Sequence, residues 1–275
     1  MAAALSAACG GGRKAAATQK TVVAFNPAKS DAKAVAAVDA MLAALGGQAQ
    51  WDKAKQISWD LKYTLDGQLK AWFRHTWDKW NGRHRFEMIN MDTYAKAKAA
   101  GDDKLRKWYV VMYDLFNHDN KGYAEYMHKP VSRKDVKELV ARAHKRWMED
   151  HYQLAFHYKL KDPGVILESV GTLDEKNGQG VCKPSCDTIK VTFEAAVGTD
   201  TYYININTKT KLPEIVEKQS AKGRLGYILS DWISAGGMKF PGKLQNIGNK
   251  GEIFSISNVK VADPDDFLFV PRARP

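Results

Sequence analysis

The sequence predicts an α+β domain built on one large antiparallel sheet. Three observations lead there. Stretches of period-two alternation recur along most of the chain, spaced by Gly and Asn turns. A helical period appears in only two segments, one ahead of the strands and one midway. Aromatic residues are abundant, with eight Trp, eleven Tyr and ten Phe, a composition suited to strands and cavity walls.

Residues 1–30 read as a truncated signal and lipobox followed by a tether. In Leu5-Ser6-Ala7-Ala8-Cys9-Gly10, small residues lead into a cysteine and then glycines. This resembles the lipobox of bacterial lipoproteins, with the leucine one place further upstream than usual. The charged n-region and most of the apolar h-region are missing, which a start codon placed too late explains. The expectation is a lipid on Cys9; the alternative is an incidental cysteine in an Ala-rich leader.

Residues 31–275 read as a single domain. A helix is expected from Asp31 to Leu45, capped by Ser30 or Asp31, with Val35, Val38, Leu42 and Leu45 on one face. Gly46-Gly47 ends it in the left-handed conformation. The period then changes to two. Leu69, Ala71, Phe73, His75 and Trp77 alternate with Lys70, Trp72, Arg74 and Thr76, and a turn at Asn81-Gly82 leads into a second such strand. Trp108 to Tyr113 is apolar on both faces, so it reads as a strand covered on both sides. A short strand around Tyr123, Glu125 and Met127 follows.

The second helix begins at Ser132, paired with Asp135 as a cap, and carries Val136, Leu139, Val140, Ala143 and Trp147 on one stripe. Lys134, Lys137, Arg142 and Arg146 are expected to face water. Beyond Gly164 strands return, with Ile189, Val191 and Phe193 and then Tyr202, Ile204 and Ile206 pointing one way. Cys182 and Cys186 are too widely spaced for a two-residue zinc or thioredoxin motif. With Pro184-Ser185 between them they suit a tight loop closed by a disulfide, hence an oxidising compartment. Two free thiols are the alternative.

Composition excludes several classes. No run of about 18 apolar residues exists to span a bilayer as a helix. The net charge of +11 comes from 42 Lys and Arg scattered among 31 acidic residues, and no zinc-finger, RRM or KH signature accompanies it. Nucleic acid is therefore not an expected partner. HExxH, GxSxG, Walker and GxGxxG motifs are absent, so no metal, cofactor or catalytic residue is assigned. His75 and His84 can meet across a hairpin, without the spacing of a metal site.

Four segments carry a resemblance: LKAWFRHTWDKWNGRHRFE (69–87), YKLKDPGVILESVG (158–171), residues 187–217 from DTIKVTF to LPEIVE, and residues 236–271 ending in DDFLFVP. Together they resemble a group of uncharacterised bacterial exported proteins with the fold of the Lol lipoprotein carrier and its outer-membrane receptor, the LolA/LolB-like superfamily. The resemblance covers residues 31 to 271. It implies a strongly curved, incomplete antiparallel β-barrel with helices closing the concave side, and a cup that takes up acyl chains. None of that family's functional residues can be matched position by position. The cup's expected lining is Phe73, Trp108, Val110 and Met112 from the strands and Val136, Leu139, Val140, Ala143 and Trp147 from the helix. The expected function is an exported lipoprotein, at the periplasmic face of the outer membrane or in the periplasm, that binds or passes on a lipid or acyl ligand without catalysis. An exported enzyme with an unrecognised site, or an assembly lipoprotein whose cup is filled by its own side chains, are the alternatives.

Overall fold

The computed structural model describes residues 24–117, 122–178, 180–195, 200–221 and 223–271. Helix α1 (Ala32–Ala44) starts at Asp31, whose carboxylate accepts from the Lys33 amide at 2.8 Å, and α2 (Gln48–Lys53) follows it. Gly46 and Gly47 separate the two at φ 111° and 93°. Gly46 tolerates no side chain, since a Cβ there would collide with the Gly237 carbonyl.

The first arm of the sheet is a run of hairpins: β1 (Gln56–Leu65), β2 (Gln68–Asp78), β3 (Arg83–Ile89), β4 (Trp108–Asp114), β5 (Gly122–Tyr126) and β6 (Lys129–Pro130). Between β3 and β4 lies α3 (Met91–Ala100). After the arm, α4 (Arg133–Ala155) begins at Ser132, which caps the Asp135 amide. The second arm comprises β7 (Val165–Asp174), β8 (Ser185–Phe193), β9 (Thr201–Asn207), β10 (Pro213–Ser220) and β11 (Gly223–Ser230). A two-stranded excursion, β12 (Ile233–Ala235) with β13 (Met238–Phe240), precedes β14 (Lys243–Asn246) and β15 (Glu252–Ala262).

All strands except β12 and β13 form one sheet of 13 strands, ordered β6-β5-β4-β3-β2-β1-β15-β14-β11-β10-β9-β8-β7. The last long strand therefore returns to pair with the first and joins the arms at the centre. Laid flat, such a sheet would be roughly 60 Å wide at about 4.8 Å per strand. Yet one contiguous core takes side chains from β2, β3 and β4 at one end and from β7, β8 and β9 at the other, with α1 and α4 between them. The sheet is a curved, incomplete barrel, and the helices close its concave side.

Cross-strand register assigns the faces. On the concave face Val111, Phe86, His75 and Trp59 stand opposite one another across β4, β3, β2 and β1, and all four are buried. Tyr113, His84, Trp77 and Ile57 form the next such row. The convex neighbours are Val110, Glu87, Arg74 and Asp60, with Arg74 Nε 2.7 Å from Asp60 Oδ1. Apolar against charged residues at period two put the first set inside. The N-terminus of α1 lies along edge strand β7: the Asp31 amide donates to the Leu167 carbonyl at 2.8 Å, and the Leu167 amide donates to Ser30 Oγ at 3.0 Å. That half of the edge is thereby denied to another chain. Among the described residues no helix is long and apolar enough to cross a membrane.

Candidate functional site

Helix α4, about 35 Å long at 1.5 Å per residue, runs diagonally across the cup from β5 towards β9. Its two halves do different things. The N-terminal half is packed down on the first arm. Under the C-terminal half a cavity of about 680 Å³ opens between the helix and the second arm.

Aromatic and aliphatic side chains from consecutive strands form the sheet wall of this cavity: Phe193, Tyr202, Val216, Tyr227, Leu229 and Phe254. Their alternation is that of the inward face, since Tyr202 stands opposite Lys218, Val216 opposite Tyr227, and Leu244 opposite Phe254. The helix wall is Arg146, Met148, Glu149, Tyr152 and Gln153, and it continues into Phe156 and His157 of the following 3-10 turn. Tyr152 and Phe156 stack towards Tyr202, with centroids 6.5 and 4.8 Å away. Met148 and Leu225 are exposed together with the charged Glu149, Asp200 and Lys218, whereas Phe156 and His157 are buried, so the cavity runs from a mouth of mixed apolar and charged residues towards a buried apolar end.

Charged groups of the wall are already paired. Lys218 Nζ lies 2.7 Å from Asp200 Oδ2, and Arg146 Nη1 lies 2.9 Å from Glu149 Oε2. The Asp200 hydrogen bond raises the Lys218 pKa, and burial raises those of Tyr202 and Tyr227. These tyrosines stay protonated, and among the described residues the wall presents no unpaired charge of its own. Among the described residues, none that lines the cavity is a Ser, Thr or Cys that could act as a nucleophile.

Beside the cavity, a chain of buried polar groups fastens α4 to the first arm. Arg146 reaches Asp150 through two nitrogens, one of them at 3.1 Å. Asp150 Oδ2 lies 3.1 Å from His75 Nε2, His75 Nδ1 lies 3.2 Å from His84 Nε2, and His84 Nδ1 lies 3.0 Å from Tyr113 Oη. Asp150, His75 and His84 are fully buried. Arg146 pairs with Asp150, and His75 Nε2 lies at ion-pair distance from the same carboxylate without hydrogen-bonding geometry. In the two further links, His75 with His84 and His84 with Tyr113, the imidazole tautomers set which atom donates. Burial holds His84 well below the usual imidazole range and Tyr113 well above the usual phenol range. The rings are sandwiched by aromatics, with His75 stacked on Trp59 at 4.5 Å and Trp147 on His151 at 4.2 Å.

The residues expected from sequence to line the cup divide between the two faces of the sheet. Val140 and Ala143 are buried, and Val136, Leu139 and Trp147 are partly buried, all on the concave core as the stripe required. Phe73 also faces inward, with the Arg146 guanidinium 4.8 Å above its ring. Trp108, Val110 and Met112 face the other way. Trp108 packs edge-on to His128, and Met112 lies 3.7 Å from the Arg85 guanidinium, which also donates to the Leu268 carbonyl of the C-terminal turn. A strand apolar on both faces gives no parity signal, and here its odd-numbered residues Tyr109, Val111 and Tyr113 are the inward ones. None of the nine expected residues lines the cavity. Arg146 departs from expectation too, since it turns into the cup instead of facing water.

The disulfide between Cys182 and Cys186 is formed. It lies on the convex face with Ile215, Leu173 and Ile228, and the Cys182 amide donates to Glu214 at 2.5 Å. Val216, one residue beyond Ile215, faces the cavity on the opposite side. Cys9 lies outside the described residues. Sequence reasoning put Phe193 and Tyr202 on the apolar face of their strands but missed Arg146, Tyr152, Gln153, Phe156 and His157, because the apolar stripe of α4 was followed only as far as Trp147.

No protein-family model matches the chain, and no curated protein matches it. The chain is similar in fold to several solved structures. A DUF1329 family protein from Desulfovibrio piger is 12 % identical, with 86 % of this chain and 97 % of that one covered and a TM-score of 0.43. A LolA superfamily protein from Nitrosomonas europaea is 11 % identical over the same shares, with a TM-score of 0.44. A putative outer membrane lipoprotein-sorting protein domain from Vibrio parahaemolyticus is 7 % identical, covering 86 % of this chain and 96 % of that one, with a TM-score of 0.40.

Proposed function

We propose that this protein is an exported lipoprotein that holds the acyl chain of a lipid in the cavity under α4 and carries out no reaction on it. The observation that carries the reading is the cavity itself. Its volume of about 680 Å³ lies within the range of small-ligand sites, and its walls are aromatic and aliphatic with their charges paired. Each methylene buried there contributes about 0.8 kcal/mol. A chain of about ten methylenes thus gains roughly 8 kcal/mol before the cost of immobilisation is subtracted. The disulfide fits an oxidising compartment, and acylation of Cys9 would keep the cup at a membrane surface.

Competition against a dansyl-labelled undecanoic acid tests the reading. Binding of this reporter with enhanced emission is expected, and Val216→Trp, which fills the sheet wall, should weaken it at least tenfold while leaving the unfolding midpoint within a few degrees. A reporter that binds equally well to both proteins, or to neither, removes the acyl-binding reading.

A further inference from the structure

Helix α4 turns a basic face to solvent. Arg133, Lys134, Lys137, Arg142 and Lys145 are all exposed, and among the described residues none of the five side chains has an ion-pair partner. Between Arg133 and Lys145 only Asp135 and Glu138 oppose them, and Asp135 is already engaged by Ser132 Oγ at 2.7 Å. The second arm is different, for there Lys190 is met by Glu168 at 2.9 Å and Lys218 by Asp200 at 2.7 Å. Like charges three and four residues apart on a helix repel one another. The helix is held by its other face, and the cations are left over.

The basic face leads to the cavity. At about 3.6 residues per turn, Lys134, Ala141, Lys145 and Met148 fall on one line about 20 Å long, with Lys137 and Arg142 on its flanks. The buried Val140, Ala143 and Leu154 lie on the opposite side of the helix. Met148 both ends this line and lines the cavity mouth with Leu225, each 47 % exposed. The acidic groups of the mouth, Glu149 and Asp200, are held by Arg146 and Lys218 and do not offset the row.

Resting on the acyl-binding reading above for what enters the cavity, we infer that the outer face of α4 docks the protein on an anionic phospholipid surface, with the cavity mouth against the headgroups. Phosphates of the bilayer are the counter-charges that the five cations lack. Met148 and Leu225 then meet the boundary of the hydrocarbon, and an acyl chain passes between bilayer and cavity without crossing water. An acidic protein would match the charge and offer nothing to the two apolar side chains at the mouth.

The test uses the full chain carrying Cys9→Ser, so that no lipid anchor contributes, in flotation with vesicles. It should bind vesicles of equimolar phosphatidylcholine and phosphatidylglycerol at least about tenfold more tightly than pure phosphatidylcholine, and salt should weaken that binding. Lys134→Glu with Lys145→Glu should abolish the preference. Lys209→Glu with Lys250→Glu, the same change of net charge at exposed positions away from α4, should leave most of it. Dansyl reporter preloaded in the mixed vesicles should pass to the parent protein faster than to the α4 variant, while both bind it equally in free solution. No preference for the mixed vesicles, or equal losses in the two charge-reversed pairs, overturns the docking and leaves the acyl cavity standing. Equal transfer rates overturn the placement of the mouth. Retention on polyglutamate beads as strong as on the vesicles overturns the membrane in favour of an acidic protein. A reporter that fails to bind in free solution removes the acyl reading, and the docking is then decided by flotation alone.

Discussion

Asp150 on α4 meets His75 on β2 at 3.1 Å with neither side chain open to solvent, and this contact divides the cup in two. On one side the helix is fastened through His84 to Tyr113 and packed on aromatics. On the other it arches over the cavity. A helix closing a cup need not be a loose cover along its whole length. Here the part of the helix before Asp150 positions Arg146, and the part after it supplies Tyr152, Gln153 and Phe156 to the wall while burying Leu154 and Ala155 in the core.

Breaking this fastening should cost far more than a surface ion pair. Asp150→Ala strands the fully buried His75 and releases Arg146, so a loss of about 3 to 5 kcal/mol is expected in urea unfolding. A double-mutant cycle with His75→Ala should show a coupling of about 1 to 3 kcal/mol. Additive losses would mean that the 3.1 Å contact contributes nothing.

Stability should fall on mild acidification. His84, His151 and His157 are all held down by burial, the latter two to about 3, so each folded-state pKa lies below its unfolded value of about 6.5. A depressed imidazole contributes stability that is fully present above pH 6.5 and is lost as pH falls towards the folded pKa. Each such histidine then costs about 1.4 kcal/mol per pH unit. Urea midpoints at pH 7.5, 6.5 and 5.5 should show little change across the first interval and a clear drop across the second. A midpoint flat down to pH 5 would contradict the burial of these rings.

Trp147 tests the packed half. Its ring stacks on His151 and meets Trp77 edge-on at 5.6 Å, so Trp147→Ala should cost about 3 to 5 kcal/mol. Because it does not line the cavity, binding of the dansyl reporter by the fraction that remains folded should change less than with Val216→Trp. Hydrogen exchange adds a second readout: amides from Val140 to Ala155 should be protected like those of β2 and β3, and those of the exposed first turns from Arg133 to Lys137 less so.

The disulfide should matter to stability and not to uptake. Closing so short a loop contributes about 2 kcal/mol by restricting the unfolded chain. Cys182→Ala with Cys186→Ala should lower the urea midpoint accordingly, and reporter affinity should persist, since the bridge is on the convex face.

Acylation of Cys9 is checked in cells. Protein made from the full natural reading frame should take up a clickable palmitate analogue and partition into detergent, and Cys9→Ser should abolish both. Labelling that survives the change would end the lipoprotein reading.

What the sequence determined by itself was periodic. Alternation at period two placed β2, β3, β8 and β9 and their inward residues, and the stripe from Val136 to Trp147 gave the buried side of α4. Capping chemistry located both long helices, with Asp31 and Ser132 at their starts. Cys182 and Cys186 were paired through the turn between them. Each of these is a local property, carried by residues close together in the chain. Where the local signal was silent, tertiary structure decided. Trp108 to Tyr113 is apolar on both faces, and only its register against Arg85, Phe86 and Glu87 showed that Val111 and Tyr113 point inward while Val110 and Met112 do not. The place of the cavity was equally non-local. It depends on where a diagonal helix parts from a curved sheet, and that follows from Asp150 reaching His75, residues 75 positions apart whose partnership no spacing encodes.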